Sequence, residues 1–204
     1  MTGRRGRPRG FDLDAATASL EATLWTHGYR GTSVEDLAAD AGLSVSSLYA
    51  AFGSKQGVLD AALRRYEHEM STTIAALEQG RYGLRDVDRF LLAVAGVIEA
   101  PDSPPGCFMV NTMVEVADTI PEVADRTSSY RQRIESALVA ALTRAARAGE
   151  IPRTSIGDRA RIIQAALFGI LISSRAGEHD AARTAISSLR RELRRARLSP
   201  APPR

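Results

Sequence analysis

Residues 32–57, TSVEDLAADAGLSVSSLYAAFGSKQG, decide the fold. Their spacing predicts two short helices joined by a tight turn, followed at once by the start of a third. Thr32 or Ser33 caps the first, and Thr32-x-x-Glu35 has the capping-box form. Val34, Leu37, Ala38 and Ala41 supply its apolar face. Gly42 supplies the left-handed backbone of a sharp turn. Ser44 caps the second helix, and Leu48 locks it onto the first. The opposite face, Val45, Ser46, Ser47 and Tyr49, is small and polar at the helix N-terminus. This is the layout of a helix-turn-helix that places one helix end in a DNA groove. Hydroxyls there meet bases or phosphates, and Val45 suits a thymine methyl.

Two flanking features agree. Ser54 reads as another N-cap, so Lys55, the single lysine of the chain, falls in a helix's first turn. The macrodipole opposes a cation there, and a bound phosphate relieves that conflict. Upstream, RRGRPRG carries Arg4, Arg5, Arg7 and Arg9 on an extended arm suited to a minor groove. The arm offsets residues 11–70, where acidic residues outnumber basic ones.

The whole chain is 204 residues with net charge +3 and 44% hydrophobic content, enough for a core without disulfides. A single cysteine, Cys107, excludes a disulfide framework and a multi-cysteine zinc site, and fits a reducing cytoplasm. The apolar runs 90–98 and 165–172 are too short to span a membrane, and no targeting segment is visible. No hydrolase nucleophile elbow, phosphate loop or dinucleotide fingerprint occurs, so the chain does not read as an enzyme and implies no cofactor.

Helical periodicity runs through nearly every segment, predicting an all-α fold of about nine helices. The expected division is a flexible basic arm over 1–10, a helix-turn-helix domain over 11–70, a ligand-binding and dimerisation domain over 71–198, and a disordered tail over 199–204. Gly80–Gly83 reads as the hinge between halves. The prolines of PDSPPG, 101–106, interrupt the helices.

The stretch 11–65 resembles the TetR family of bacterial transcriptional regulators. Gly28-Tyr29, Thr32-Ser33-Val34, Ala41-Gly42-Leu43-Ser44, Leu48-Tyr49, Phe52 and Ser54-Lys55 carry the resemblance, with Gln56 where the family usually has Glu. The resemblance implies a homodimer, usually a repressor, on a double-stranded inverted-repeat operator. A small effector in the C-terminal part respaces its two reading heads. It further implies that the Tyr49 and Lys55 positions touch phosphates and that residues 44–47 read bases.

The C-terminal part supplies weaker expectations. Phe90, Val94, Phe108, Met109, Met113, Val116, Tyr130, Ile134 and Leu138 are candidate walls of an effector pocket, with Asn111, Thr112 and Glu115 as polar handles. A medium-sized, largely apolar ligand suits them. On the last two helices, Ile162, Ile163, Ala166, Phe168, Gly169, Ile170 and Ile172 exceed what one protomer's core needs, and with Ile186, Leu189 and Leu193 suit a four-helix dimer seam. The arginines of 190–197 read as a solvated face. Cys107 follows PPG at a helix N-terminus, where a thiolate is stabilised. That leaves an oxidant- or electrophile-sensing repressor as a rival reading. A helical interaction or catalytic bundle without DNA binding is a more distant one.

Overall fold

The computed structural model describes residues 12–100 and 104–196. Among them the chain is all helical: α1 (Leu13–His27), α2 (Val34–Asp40), α3 (Val45–Phe52), α4 (Lys55–Gln79), α5 (Leu84–Glu99), α6 (Phe108–Val116), α7 (Pro121–Arg147), α8 (Ile156–Arg175) and α9 (His179–Ala196), with one 3-10 turn before α8. The arm arginines Arg4, Arg5, Arg7 and Arg9 lie outside the described residues. No described helix is long and apolar enough to cross a membrane.

The chain forms two compact units that divide inside α4, between Arg65 and Tyr66. The Gly80–Gly83 stretch, expected as the hinge, is instead a packed turn within the second unit. A Cβ on Gly80 would stand 2.4 Å from the Asp86 carboxyl carbon, and one on Gly83 would stand 2.7 Å from the Ala145 Cα. Only glycine admits so close a backbone approach, and Gly83 also has a φ of +58°.

In the first unit α1, α2 and α3 pack around Leu20, Leu24, Leu37 and Leu48, closed by Val58, Leu59 and Leu63 from the start of α4. Asp12 caps α1, accepting from the Asp14 and Ala15 amides. Asp40, the last residue of α2, ties back to α1. Its carbonyl accepts from the Ser19 hydroxyl at 2.8 Å and its carboxylate from the Thr23 hydroxyl at 2.9 Å.

In the second unit α7 packs on α5, α6 and α8, and α9 covers α5 and α8. The apolar stripe of α5, Leu84, Val87, Leu91, Val94 and Ile98, recurs at three- and four-residue intervals and is buried along its length. Pro121 opens α7, where its missing amide costs nothing. Of the arginines expected on a solvated face, Arg190 and Arg194 instead clamp α9 to α5, reaching the Asp88 carboxylate at 2.8 and 3.1 Å. Burial pushes the Asp88 pKa up, but the two guanidiniums outweigh it and hold the carboxyl below its ordinary value.

Candidate nucleic-acid interface

The reading helix α3 is built from its two ends inward. At its start, Ser44 takes an extended backbone and its hydroxyl accepts the Ser47 amide at 3.1 Å. The same hydroxyl lies 2.9 Å from Ser46 Oγ and 2.8 Å from Ser47 Oγ. Three hydroxyls thus cluster at the α3 N-terminus, where orphan amides and the positive end of the helix dipole favour an anion. At its end, Gly53 caps the helix with a φ of +77°. The middle is fixed by Leu48, which is 0% exposed. One turn of α3 therefore buries a single leucine and leaves Ser44 and Ser46 exposed, Val45 and Ser47 half-buried, and Tyr49 45% exposed.

The helix before it takes the second of its two expected caps, and its capping box lies one residue later than expected. Ser33, not Thr32, is the N-cap of α2, and its box partner is Asp36, not Glu35. Asp36 accepts from the Ser33 amide at 2.9 Å, and Ser33 accepts from the Asp36 amide at 3.0 Å. The Ser33 hydroxyl, followed by its amide, holds the Asp36 carboxyl below its ordinary pKa. Thr32 is buried, and its hydroxyl donates to the Gly28 carbonyl at 2.7 Å, closing the α1–α2 connection. Thr32 therefore presents no side-chain hydroxyl to a ligand, whereas Ser33 is exposed.

Lys55 is the first residue of α4, as its sequence context predicts, and the Ser54 hydroxyl accepts from the Gly57 amide at 2.9 Å. Its ammonium has a partner that sequence reading missed: Nζ stands 4.4 Å from the centroid of the Tyr29 ring. Burial raises the Tyr29 phenol pKa, so the ring stays neutral and available as a cation–π platform. Gly57 is a second missed determinant. A Cβ there would fall 1.9 Å from the Phe52 carbonyl oxygen, so only glycine lets α4 start this close to the end of α3. The signal was present as a glycine in a helix's first turn.

Most of the expected pocket residues of the second unit are buried. Phe108, Met109, Val116, Ile134 and Leu138 are buried, as are Val94, Thr112 and Tyr130. Asn111 is spent on the Pro105 carbonyl, to which its amide donates at 3.0 Å. Met113 and Glu115 are half-buried. Of the predicted set, Phe90 lines a cleft of about 500 Å³ at the α4–α5 turn.

The expected dimer residues separate by face. Ile163, Ile170, Ile186 and Leu193 are buried in the protomer's own core. Ile162 is 65% exposed and Ile172 45%, and Gly169 is exposed on the same helix. Together with exposed Ala165 and Ala176 they recur every three or four residues, giving α8 one continuous outward apolar stripe. Ala166, Phe168 and Leu189 are half-buried beside it.

Cys107 precedes α6 as its N-cap, but burial reverses the expected chemistry. The side chain is enclosed, its Sγ lies 3.0 Å from the Tyr66 hydroxyl, and the thiol pKa is raised by desolvation despite hydrogen bonds that oppose it. The helix N-terminus alone would have lowered it. The expectation of an activated thiolate is therefore corrected.

Sequence comparisons agree with this architecture. Residues 13–62 match the profile of bacterial regulatory proteins of the tetR family, and residues 83–189 match the tetracyclin repressor-like C-terminal domain. The chain is 31% identical over 180 residues to the HTH-type transcriptional repressor ComR of Escherichia coli K12, covering 85% of this chain and 84% of that one. It is 36% identical over 61 residues to the repressor BdcR of the same organism, covering 30% and 31%. The fold is similar to that of a variant of the TetR family regulator CifR complexed with 26-bp operator DNA, at a TM-score of 0.77 and 24% identity over 96% of this chain and 100% of that chain. With both units matched and the helix-turn-helix intact, the chain belongs to the TetR family of bacterial regulatory proteins, DNA-binding regulators of transcription.

Proposed function

We propose that the protein is a cytoplasmic repressor that binds an inverted-repeat DNA operator as a homodimer and leaves it when a small effector binds the second unit. The observation that carries this reading is α3 itself. One buried leucine anchors it and Ser44 caps it, while Ser46 and Tyr49 stand exposed on its outer side. In this reading Val45, Ser46 and Ser47 meet base edges, with Ser44 setting their helix. Tyr49, Lys55 and Ser33 meet phosphates, and the arm with Arg4, Arg5, Arg7 and Arg9 follows the adjacent groove. Phosphate contacts set register and base contacts set sequence preference. The outward stripe of α8, centred on Ile162, Gly169 and Ile172, supports pairing with a second copy. No catalytic step and no cofactor enter this reading. The buried, raised-pKa Cys107 weighs against oxidant sensing as the trigger.

A gel-shift titration on the promoter region of the protein's own gene tests it. Binding that weakens steeply with salt and saturates at two protomers per site is expected. Salt-insensitive or absent binding contradicts it.

A further inference from the structure

The cleft at the turn from α4 into α5 has about 500 Å³, within the roughly 300–1,000 Å³ of small-molecule sites. Its walls are of two kinds. Ala76 and Leu77 from α4, with Phe90 and Ala93 from α5, are apolar. Arg81, Tyr82 and Arg89 are exposed at its edge, and the Arg89 guanidinium lies 5.4 Å from the centroid of the Tyr82 ring. The carboxylate in the lining, Asp86, is already compensated. It accepts from the Tyr82 amide at 2.7 Å and pairs with Arg144 at 3.4 Å. The remaining charge of the lining is positive. An apolar floor beneath arginines recognises an organic anion, because the guanidinium fork matches a carboxylate.

We propose that this cleft binds a small organic carboxylate and is the effector site of the regulator, a proposal that rests on the function given above. The apolar body lies on Leu77 and Phe90, and the carboxylate on Arg81 and Arg89. The connection to α4 is direct. Arg144 donates to the Glu78 carbonyl at 2.6 Å and to the Leu77 carbonyl at 2.5 Å, holding the last turn of α4 with the same guanidinium that faces Asp86. A carboxylate in the same cleft as Asp86 changes the field at the Asp86–Arg144 pair that holds this turn. The helix so affected begins at Lys55, the proposed phosphate contact.

The test titrates the full-length protein calorimetrically with 4-phenylbutyrate and with 4-phenylbutylammonium, with operator affinity measured in parallel. The carboxylate is expected to bind, and the ammonium to bind at least about tenfold more weakly, the scale of one lost charge-assisted hydrogen bond. Ala76→Trp fills the cleft from an exposed position, and Arg89→Gln removes a charge from an exposed one. Each is expected to weaken the carboxylate by about tenfold or more. The carboxylate should weaken operator binding by the native protein and not by Ala76→Trp. Should Ala76→Trp fail to fold, Arg89→Gln decides. No carboxylate binding, equal binding of the ammonium, or unchanged affinity in the folded variants overturns the site. Binding without effect on operator affinity overturns its role as effector site. Operator affinity without ligand is a separate reading, so failure here is distinguishable from failure of the regulator assignment.

Discussion

Lys55 and Tyr29 are paired, with the ammonium 4.4 Å from the ring centroid. The pair answers the unfavourable placement of a cation in a helix's first turn without neutralising it, so the charge stays available to a phosphate. Lys55→Ala is expected to weaken binding to all DNA sequences alike and to reduce the slope of log affinity against log salt by about 0.9. Tyr29→Leu should weaken binding less and leave base preference unchanged. Fluorescence anisotropy against several operator sequences at several salt concentrations measures both. A change in sequence preference for Lys55→Ala would reassign the residue.

The serine cluster separates a structural serine from reading ones. Ser44→Ala removes the α3 cap and should destabilise the reading module by about 1 kcal/mol. Ser46→Ala should leave stability within about 0.5 kcal/mol, as an exposed surface change does, and alter base preference. Thermal melts and a selection from randomised operators check the two effects. Equal destabilisation by both substitutions would count against the division of labour.

Gly57 carries a packing prediction. Its substitution to Ala drives a methyl into the Phe52 carbonyl, so α3 and α4 must part. A loss on the order of 1–3 kcal/mol is expected. Gly169→Ala, where a Cβ meets nothing within 4 Å in the protomer, should leave the protomer's own fold unchanged. Denaturant melts of both variants make the comparison, and a Gly57→Ala protein as stable as the native one would refute the close approach.

Cys107, Tyr66 and Tyr130 form a buried group whose pKa values are all raised, chiefly by burial. The fold thus favours their neutral forms, while the unfolded chain ionises them at ordinary values of 9.0 for the thiol and 10.0 for the phenols. Their contribution to stability is complete below those values and is lost as pH rises through and beyond them. Tm should fall as pH climbs above about 9, and Tyr130→Phe should flatten that fall. At pH 8 the native thiol should react with a disulfide reagent far more slowly than the unfolded chain. Reaction at the rate of an unfolded cysteine would restore the oxidant-sensing rival.

What was legible in the sequence was local. The caps of α3 and α4, the Gly42 turn and the inward Leu48 follow from residue types at short spacing, and the structure places all of them as read. Even there, the α2 box slid by one residue, because Asp36 serves Ser33 as Glu35 would have served Thr32. What was not legible depends on residues distant in the chain. The helix N-terminus at Cys107 was visible, but Tyr66, 41 residues earlier, and the burial it helps impose were not. Periodicity showed that Phe108, Met109 and Leu138 face inward, but not that the Phe108 ring meets Tyr66, whose ring centroid is 6.0 Å away. The α4–α5 cleft arises from the path of the Gly80–Gly83 turn, which sequence spacing does not encode.

In the proposed function a two-fold dimer reads DNA through the N-terminal edge of α3. Hydroxyl-radical footprinting on the promoter of the protein's own gene, with the native protein and Ser46→Ala, tests it most directly. Two symmetric protected half-sites are expected, their centres about 34–36 Å apart or somewhat more, both weakened together by the substitution. A single asymmetric half-site, or protection that Ser46→Ala and Lys55→Ala both leave unchanged, would contradict it.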